Sequence, residues 1–388
     1  MKPEETTVIV TGAQEYWAPT STQSLRMAEA FMAAGCRVLY FECGGDGRAF
    51  TDKARSLETV SPGVFSAEGR EGLFLARADR LPGTRLSFPN FARYLHCRSA
   101  SRKAAGFLDA AETPGPVLVA HYGWFFPEFL TGREGVLHLY ECLDDHTAAL
   151  NIRGSAWRRA YVTKVEARLL SRADLSVFSS PVLAESRSGS ARRSEVIPLG
   201  VENDHFARRS GRDPHEERNI GRPRVGFLGR ITDREDWAMA ARAAEMAPDL
   251  QWVVLGPLQG IGPPPGPENL RFLGPIPYAE LPDWLNSWDA AFVPLADSEF
   301  NRAAWPLKFY ELLAAGLAAA STPIPAALEL GKQTGGLVVP ASGWGPEEML
   351  AAVRSAIDLK DKAETEGRAF AARHSWRARA ERILELLG

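Results

Sequence analysis

The sequence predicts an α/β protein built from two successive Rossmann-like domains, and three observations carry that prediction. A chain of 388 residues exceeds one ordinary hydrophobic core and suits two domains of roughly 200 residues each. Short apolar runs alternate with longer segments of helical periodicity, which is the pattern of a parallel sheet covered on both faces. The alternation pauses at the connection Pro198 to Glu202 and then begins again.

In the first half, Val8 to Thr11, Arg37 to Phe41, Val117 to Ala120, Val136 to Tyr140 and Leu175 to Phe178 read as strands, with Ser24 to Ala34 and Ala156 to Ser171 as helices. In the second, Val225 to Leu228, Trp252 to Leu255, Arg271 to Leu273, Ala291 to Pro294 and Leu317 to Ser321 read as strands. Gly260 to Pro267 is too rich in glycine and proline for anything but a loop. In open parallel sheets ligands lie beyond the carboxyl ends of the strands, so those loops are where chemistry is expected.

Charge and cysteine usage bound the function classes. With 45 Lys plus Arg against 48 Asp plus Glu, the net charge of -3 gives no global attraction for nucleic acid. Cys36, Cys43, Cys97 and Cys142 lack metal-ligand spacing and read as buried reduced thiols, which suits a reducing compartment. The opening MKPEETTVIV runs into a strand without a signal pattern, and no stretch approaches the ~18 apolar residues of a spanning helix. A cytoplasmic protein, soluble or peripheral on the inner face of the plasma membrane, is the expectation.

The most informative motif is PLKFYELLAAG, Pro306 to Gly316, after the apolar run Ala290 to Leu295. Proline suits the first helical position and glycine the end, while i,i+3 spacing puts Lys308 and Glu311 on one face. The N-terminal amides of that helix, with the Lys308 ammonium, suit a pyrophosphate; Glu311, deeper along the helix, suits ribose hydroxyls. The same residues also fit an amphipathic helix with a surface ion pair.

PLKFYELLAAG followed by STPIPA resembles the donor motif of glycosyltransferases of the two-domain GT-B fold, in particular family 4-like bacterial enzymes of surface polysaccharide synthesis such as the teichuronic-acid type. Glu15 to Glu42, Val196 to Phe206, Val225 to Trp237, Asn269 to Leu295 and His374 to Leu387 are similar to that family in the same order. The resemblance implies an acceptor domain at residues 1–200, a donor domain at 201–372 and a C-terminal helix, 373–388, returning to the first domain across an interdomain cleft. It also implies transfer from a nucleotide diphosphate sugar, expected to be a UDP-sugar, to a glycan or lipid-linked glycan. Gly229, Arg230 and Arg234 would meet the phosphates, Ile276 and Tyr278 of the loop GPIPY the base, and Pro306, Leu307, Lys308 and Glu311 the diphosphate and ribose. Charge neutralisation by Lys308, Arg230 and the helix N-terminus requires no metal, so metal independence is expected. Closure over the donor would exclude water.

One departure bears on mechanism. Retaining members carry two glutamates separated by seven residues, and Ala303 stands where the first would be, with Glu299 earlier in the same loop. A nucleotide-sugar epimerase and a noncatalytic family member therefore remain as alternatives. For an inverting displacement the candidate base is Asp144 or Asp145 in YECLDDH, beyond the strand VLHLY. Either aspartate also suits a helix cap, and His121 in AHYGW is a second candidate. Finally, Arg80 to Leu108 holds Arg80, Arg85, Arg93, Arg98, Arg102 and Lys103 with no acid, interleaved with aromatic and aliphatic residues. Such a segment suits an anionic bilayer surface, or an amphipathic helix with a basic rim.

Overall fold

The computed structural model describes residues 1–12, 16–17, 22–42, 48–78, 91–110, 115–123, 128–149, 152 and 154–388. It divides into two units, Met1–Pro198 with Trp376–Gly388, and Leu199–Ser375.

The first unit contains β1 (Thr7–Gly12), β2 (Arg37–Glu42), β3 (Thr59–Ser61), β4 (Val64–Ser66), β5 (Leu73–Arg77), β6 (Val117–His121), β7 (Val136–Cys142), β8 (Leu175–Phe178) and β9 (Ser194–Val196). They form one sheet in the order β3-β4-β5-β2-β1-β6-β7-β8-β9. Central strands are continuous apolar runs because both faces are covered: Val8, Ile9, Val10, Val38, Leu39, Leu118 and Val119 are all fully buried. The edge departs from the all-parallel expectation, since β3, β4 and β5 pair antiparallel. The signal lies in Pro62-Gly63, where Gly63 takes φ +76° and turns the chain between β3 and β4.

The closing helix, Trp376–Leu387, completes this unit. It buries Ala380, Ile383 and Leu384, and with them Arg379, which pairs with buried Glu141 and donates to the carbonyls of Ile197 and Pro198. A buried guanidinium is tolerable only when so many acceptors surround it.

The second unit is wholly parallel: β10 (Arg224–Leu228), β11 (Gln251–Leu255), β12 (Leu270–Gly274), β13 (Ala290–Val293), β14 (Ala319–Ser321) and β15 (Val338–Pro340), in the order β12-β11-β10-β13-β14-β15. The order reverses between β10 and β13, which makes their carboxyl ends the switch point where such sheets open a ligand crevice. Gly226 is bare because any side chain there would meet Trp288, whose ring atoms lie 2.1 Å from the position of a Cβ. Arg224 is buried at the opposite end of the strand, with its Nη1 2.5 Å from Asp213 and its amide 2.8 Å from Asp289. The two chain passages at the ends of this unit run together, since the Val201 amide donates to the His374 carbonyl at 2.8 Å.

Three thiols, Cys36, Cys97 and Cys142, are buried; Cys43 lies outside the described residues. Burial pushes the Cys36 thiol up to about 12. No described helix is long and apolar enough to cross a membrane. In the helix Phe91–Ala110, Cys97, Ala100, Ala104, Phe107 and Leu108 join the core, while Arg98 and Arg102 face outward. The rest of the basic segment, from Arg80 to Asn90, lies outside the described residues, as do the side chains of Phe91 to His96.

His215 is completely buried and its tautomer is fixed by its neighbours. Trp288 Nε1 donates to His215 Nε2 at 3.1 Å, so the ring proton sits on Nδ1, 2.6 Å from Ser287 Oγ. Burial, with the nearby Arg224 charge, pushes this imidazole down to about 4 from 6.5. Protonation would aim a second N–H at the Trp288 donor. Because the unfolded chain binds the proton more readily, stability is full above pH 6.5 and is lost as pH falls toward 4. The urea midpoint of the wild type is expected to fall across that window, and the slope to flatten in His215→Gln; superposable slopes would contradict the assignment.

Candidate functional site

The carboxyl edge of the second sheet is assembled from glycines and one lysine. β10 ends at Gly229, whose φ of +147° turns the chain, and Gly256 after β11 takes φ +146°. A Cβ on Gly256 would stand 1.8 Å from the Gly229 carbonyl oxygen, so the two loops meet backbone against backbone. The Gly229 amide donates to Leu255 O at 3.0 Å, and the Gly256 amide to Gly274 O at 2.9 Å. Three successive strand ends are thereby tied into one ledge.

Lys308 reaches this ledge from the far side of the switch point. Its helix runs Lys308–Ala315, two residues shorter at the start than the motif predicts, because Pro306 and Leu307 form a turn ahead of it. Gly316 ends the helix in the left-handed conformation, φ +84°, as the motif requires. The Lys308 ammonium lies 4.1 Å from the centre of the Phe227 ring, 3.7 Å from Glu235 Oε1, and 3.3 Å from where a Gly229 Cβ would be. Burial pulls its pKa down to about 8, with Arg234 acting in the same direction and Glu235 and Glu311 opposing. Glu311 follows one turn deeper and is half-buried.

The turn between Gly229 and the helix Trp237–Glu245 is held internally. Asp236 caps that helix, accepting from the Met239 amide at 2.9 Å. Thr232 donates from its amide at 3.1 Å and its hydroxyl at 2.9 Å to Glu235 Oε2. Trp237 Nε1 donates to Thr232 O at 3.1 Å. Asn301, fully buried, donates to the carbonyls of Arg234 and Ala296 and accepts from Arg234 Nε at 3.2 Å. Arg234 lies over Phe300 at 4.5 Å. Arg230 is exposed at the start of the turn.

Sequence reasoning singled out Gly229, Arg234 and Lys308, and these lie together. It missed Phe227, Thr232, Glu235 and Asn301. Thr232 and Glu235 stand at the spacing of a capping box, which was a legible signal; Asn301 had none. The Tyr278 ring stacks on His205 at 4.0 Å and 6°, and its hydroxyl donates to Glu202. Ile276 is half-buried against the core of the same unit. Glu299 is exposed in the first turn of the short helix Glu299–Ala303, which ends at the buried Ala303.

In the first unit, Asp144 and Asp145 follow β7 as expected, in a turn rather than a helix. Asp145 Oδ1 accepts from the Thr147 amide at 3.0 Å, the Thr147 hydroxyl at 2.6 Å and the Ala148 amide at 3.3 Å, and pairs with Arg187 at 2.6 Å. Burial works against its charge, but these bonds and the Arg187 charge outweigh burial and hold its carboxyl below the usual range. Arg187 also joins Glu166, which accepts from Tyr140 at 2.6 Å. Asp144 is half-buried beside it. His121 is buried 3.1 Å from His138 Nδ1, and burial pushes it down to about 3.

Residues 222–358 match the family described as "Glycosyl transferases group 1". A Bacillus subtilis (strain 168) protein named "Putative teichuronic acid biosynthesis glycosyltransferase TuaH" is 30% identical over 210 residues, spanning 50% of this chain and 52% of that one. The chain thus covers about half the length of that relative. Among solved structures, the sucrose-phosphate synthase of Thermosynechococcus elongatus superposes with a TM-score of 0.68 at 17% identity, covering 98% of both chains. HepE of Anabaena, in complex with UDP, superposes with a TM-score of 0.67 at 12% identity, covering 98% of this chain and 99% of that one.

Proposed function

We propose that this chain, which has the GT-B fold and carries a group 1 glycosyltransferase domain at residues 222–358, transfers a glycosyl group from a nucleoside diphosphate sugar, a UDP-sugar by preference, to a glycan or lipid-linked glycan of a surface polysaccharide. The observation that carries the reading is Lys308, a largely buried ammonium held at the switch point of a parallel sheet beside the ledge of Gly229 and Gly256. In the reaction the bond from the anomeric carbon to the diphosphate breaks, and negative charge grows on the departing oxygen. Lys308, with Arg230 and Arg234 on the neighbouring turn, offsets that charge without a metal, and Glu311 holds the ribose. Binding of UDP by HepE supports the choice of nucleotide. The relation to TuaH supports the choice of acceptor class.

The acceptor hydroxyl must lose a proton, and an aspartate after β7 is the proposed base. Asp145 is a weak base, because its carboxylate already takes the bonds of the 145–148 turn and the Arg187 charge. Asp145 also fixes the turn in which Asp144, the other candidate, stands. We place the enzyme on the cytoplasmic side of the membrane, in peripheral contact through the basic segment Arg80 to Leu108.

Three measurements test these statements. Calorimetry is expected to show UDP binding weakened in Lys308→Ala and in Glu311→Ala by about 1.5–3 kcal/mol each, the worth of a charge-assisted hydrogen bond; unchanged affinity in both folded variants rejects the site. Turnover by Asp144→Asn is expected to fall ~100-fold to 10,000-fold with UDP affinity kept, while Asp145→Asn loses thermal stability as well; full activity in Asp144→Asn, with product measured against a donor-only control, removes it as base. Cosedimentation with anionic vesicles is expected to be salt-sensitive and reduced when Arg93, Arg98 and Arg102 become glutamine; no binding at low salt removes the membrane contact.

A further inference from the structure

Lys308 is the group on which the donor reading rests, and what holds it in place is itself unusual. A lysine stem has four rotatable bonds, and an ammonium withdrawn from water costs several kcal/mol unless charge nearby replaces the lost hydration. The Phe227 ring, 4.1 Å from Nζ, supplies part of that replacement through its π face. Glu235 supplies the rest. Its side chain is only 4% exposed, so an uncompensated carboxylate there would be as costly as an uncompensated ammonium.

The two oxygens of Glu235 have separate tasks. Oε2 accepts from the Thr232 amide and hydroxyl, which fixes the carboxylate within its own turn. Oε1 faces Lys308 Nζ at 3.7 Å, beyond hydrogen-bonding distance. At that separation the acid attracts the ammonium and favours its charged form, while Nζ stays within 3.3 Å of where a Gly229 Cβ would be.

We infer that Glu235 is the positioning residue for Lys308: anchored by Thr232, it holds the ammonium beside Gly229 so that a diphosphate meets a cation already in place. The inference rests on the donor reading given above and adds a residue to it. Among the described residues, the charged groups acting on Lys308 come from two elements. Arg234 and Glu235 come from the turn after β10, and Glu311 from the lysine's own helix; β10 itself contributes the neutral Phe227.

The sign of the pH response follows. Burial has already brought Lys308 down to about 8, and Glu235 is the leading influence that opposes the fall. Without the acid, the lysine loses its proton at a lower pH. At pH 6.5, where it is charged in either case, removing the acid also removes a repulsion toward phosphate, so affinity there is kept or improved.

The test is calorimetric titration of the full chain with UDP from pH 6.5 to pH 9, for wild type, Glu235→Gln and Lys308→Arg. Wild-type affinity is expected to decline as pH rises through about 8. In Glu235→Gln the decline is expected to begin about one pH unit lower, giving up to about a tenfold loss near pH 8 with none at pH 6.5. Lys308→Arg, whose guanidinium stays charged, is expected to lose the decline. A Glu235→Gln profile that superposes on wild type overturns the inference and leaves the donor reading standing. So does a loss that is equal at every pH, which is what a purely structural role of Glu235 would give. Absence of UDP binding by wild type at every pH overturns the donor reading and this inference together.

Discussion

The placement of β10 between β11 and β13 is the constraint on which the second unit depends. Nearly every residue of this strand is committed by it. Arg224 anchors the amino end through Asp213 and Asp289. Gly226 makes room for Trp288, and Phe227 packs against Trp237 and Phe292 while offering its ring to Lys308. Gly229 then ends the strand against Gly256. Because the order reverses beside this strand, its packing residues and its site residues are neighbours in sequence, and the core cannot change there without moving the site.

Charge burial is handled in the same way in both units. Arg379, Arg224, Arg187 and Lys308 are each withdrawn from water and each meets carboxylates. Three of them are structural, and they are arginines whose forked donors are bonded to carboxylates or carbonyls. Lys308 differs: a compact ammonium 3.7 Å from one carboxylate, with its pKa pulled down to about 8 by burial.

The first unit shows the limit of reading a role from residue type and position. Asp144 and Asp145 stand side by side after β7, and the sequence offers no way to divide capping from catalysis between them. In the structure Asp145 accepts three bonds from Thr147 and Ala148 and a fourth from Arg187, forty-two positions later in the chain, a partner that no local reading of the two aspartates supplies.

What the sequence by itself determined is whatever depends on local periodicity and on residues with special backbone needs. Ten strands were legible as apolar runs, because a strand buried on both faces must be apolar along its length, and the Gly316 stop was legible because few residues serve there. Lys308 stood out as a candidate through its spacing from Glu311. What only the tertiary structure decided is which distant residues share a surface: Glu235 and Phe227 around Lys308, Asn301 beneath Arg234, Arg187 on Asp145, and the antiparallel edge of β3 to β5. Those pairings depend on strand order and helix packing, and a one-dimensional pattern of residue types carries no term for either.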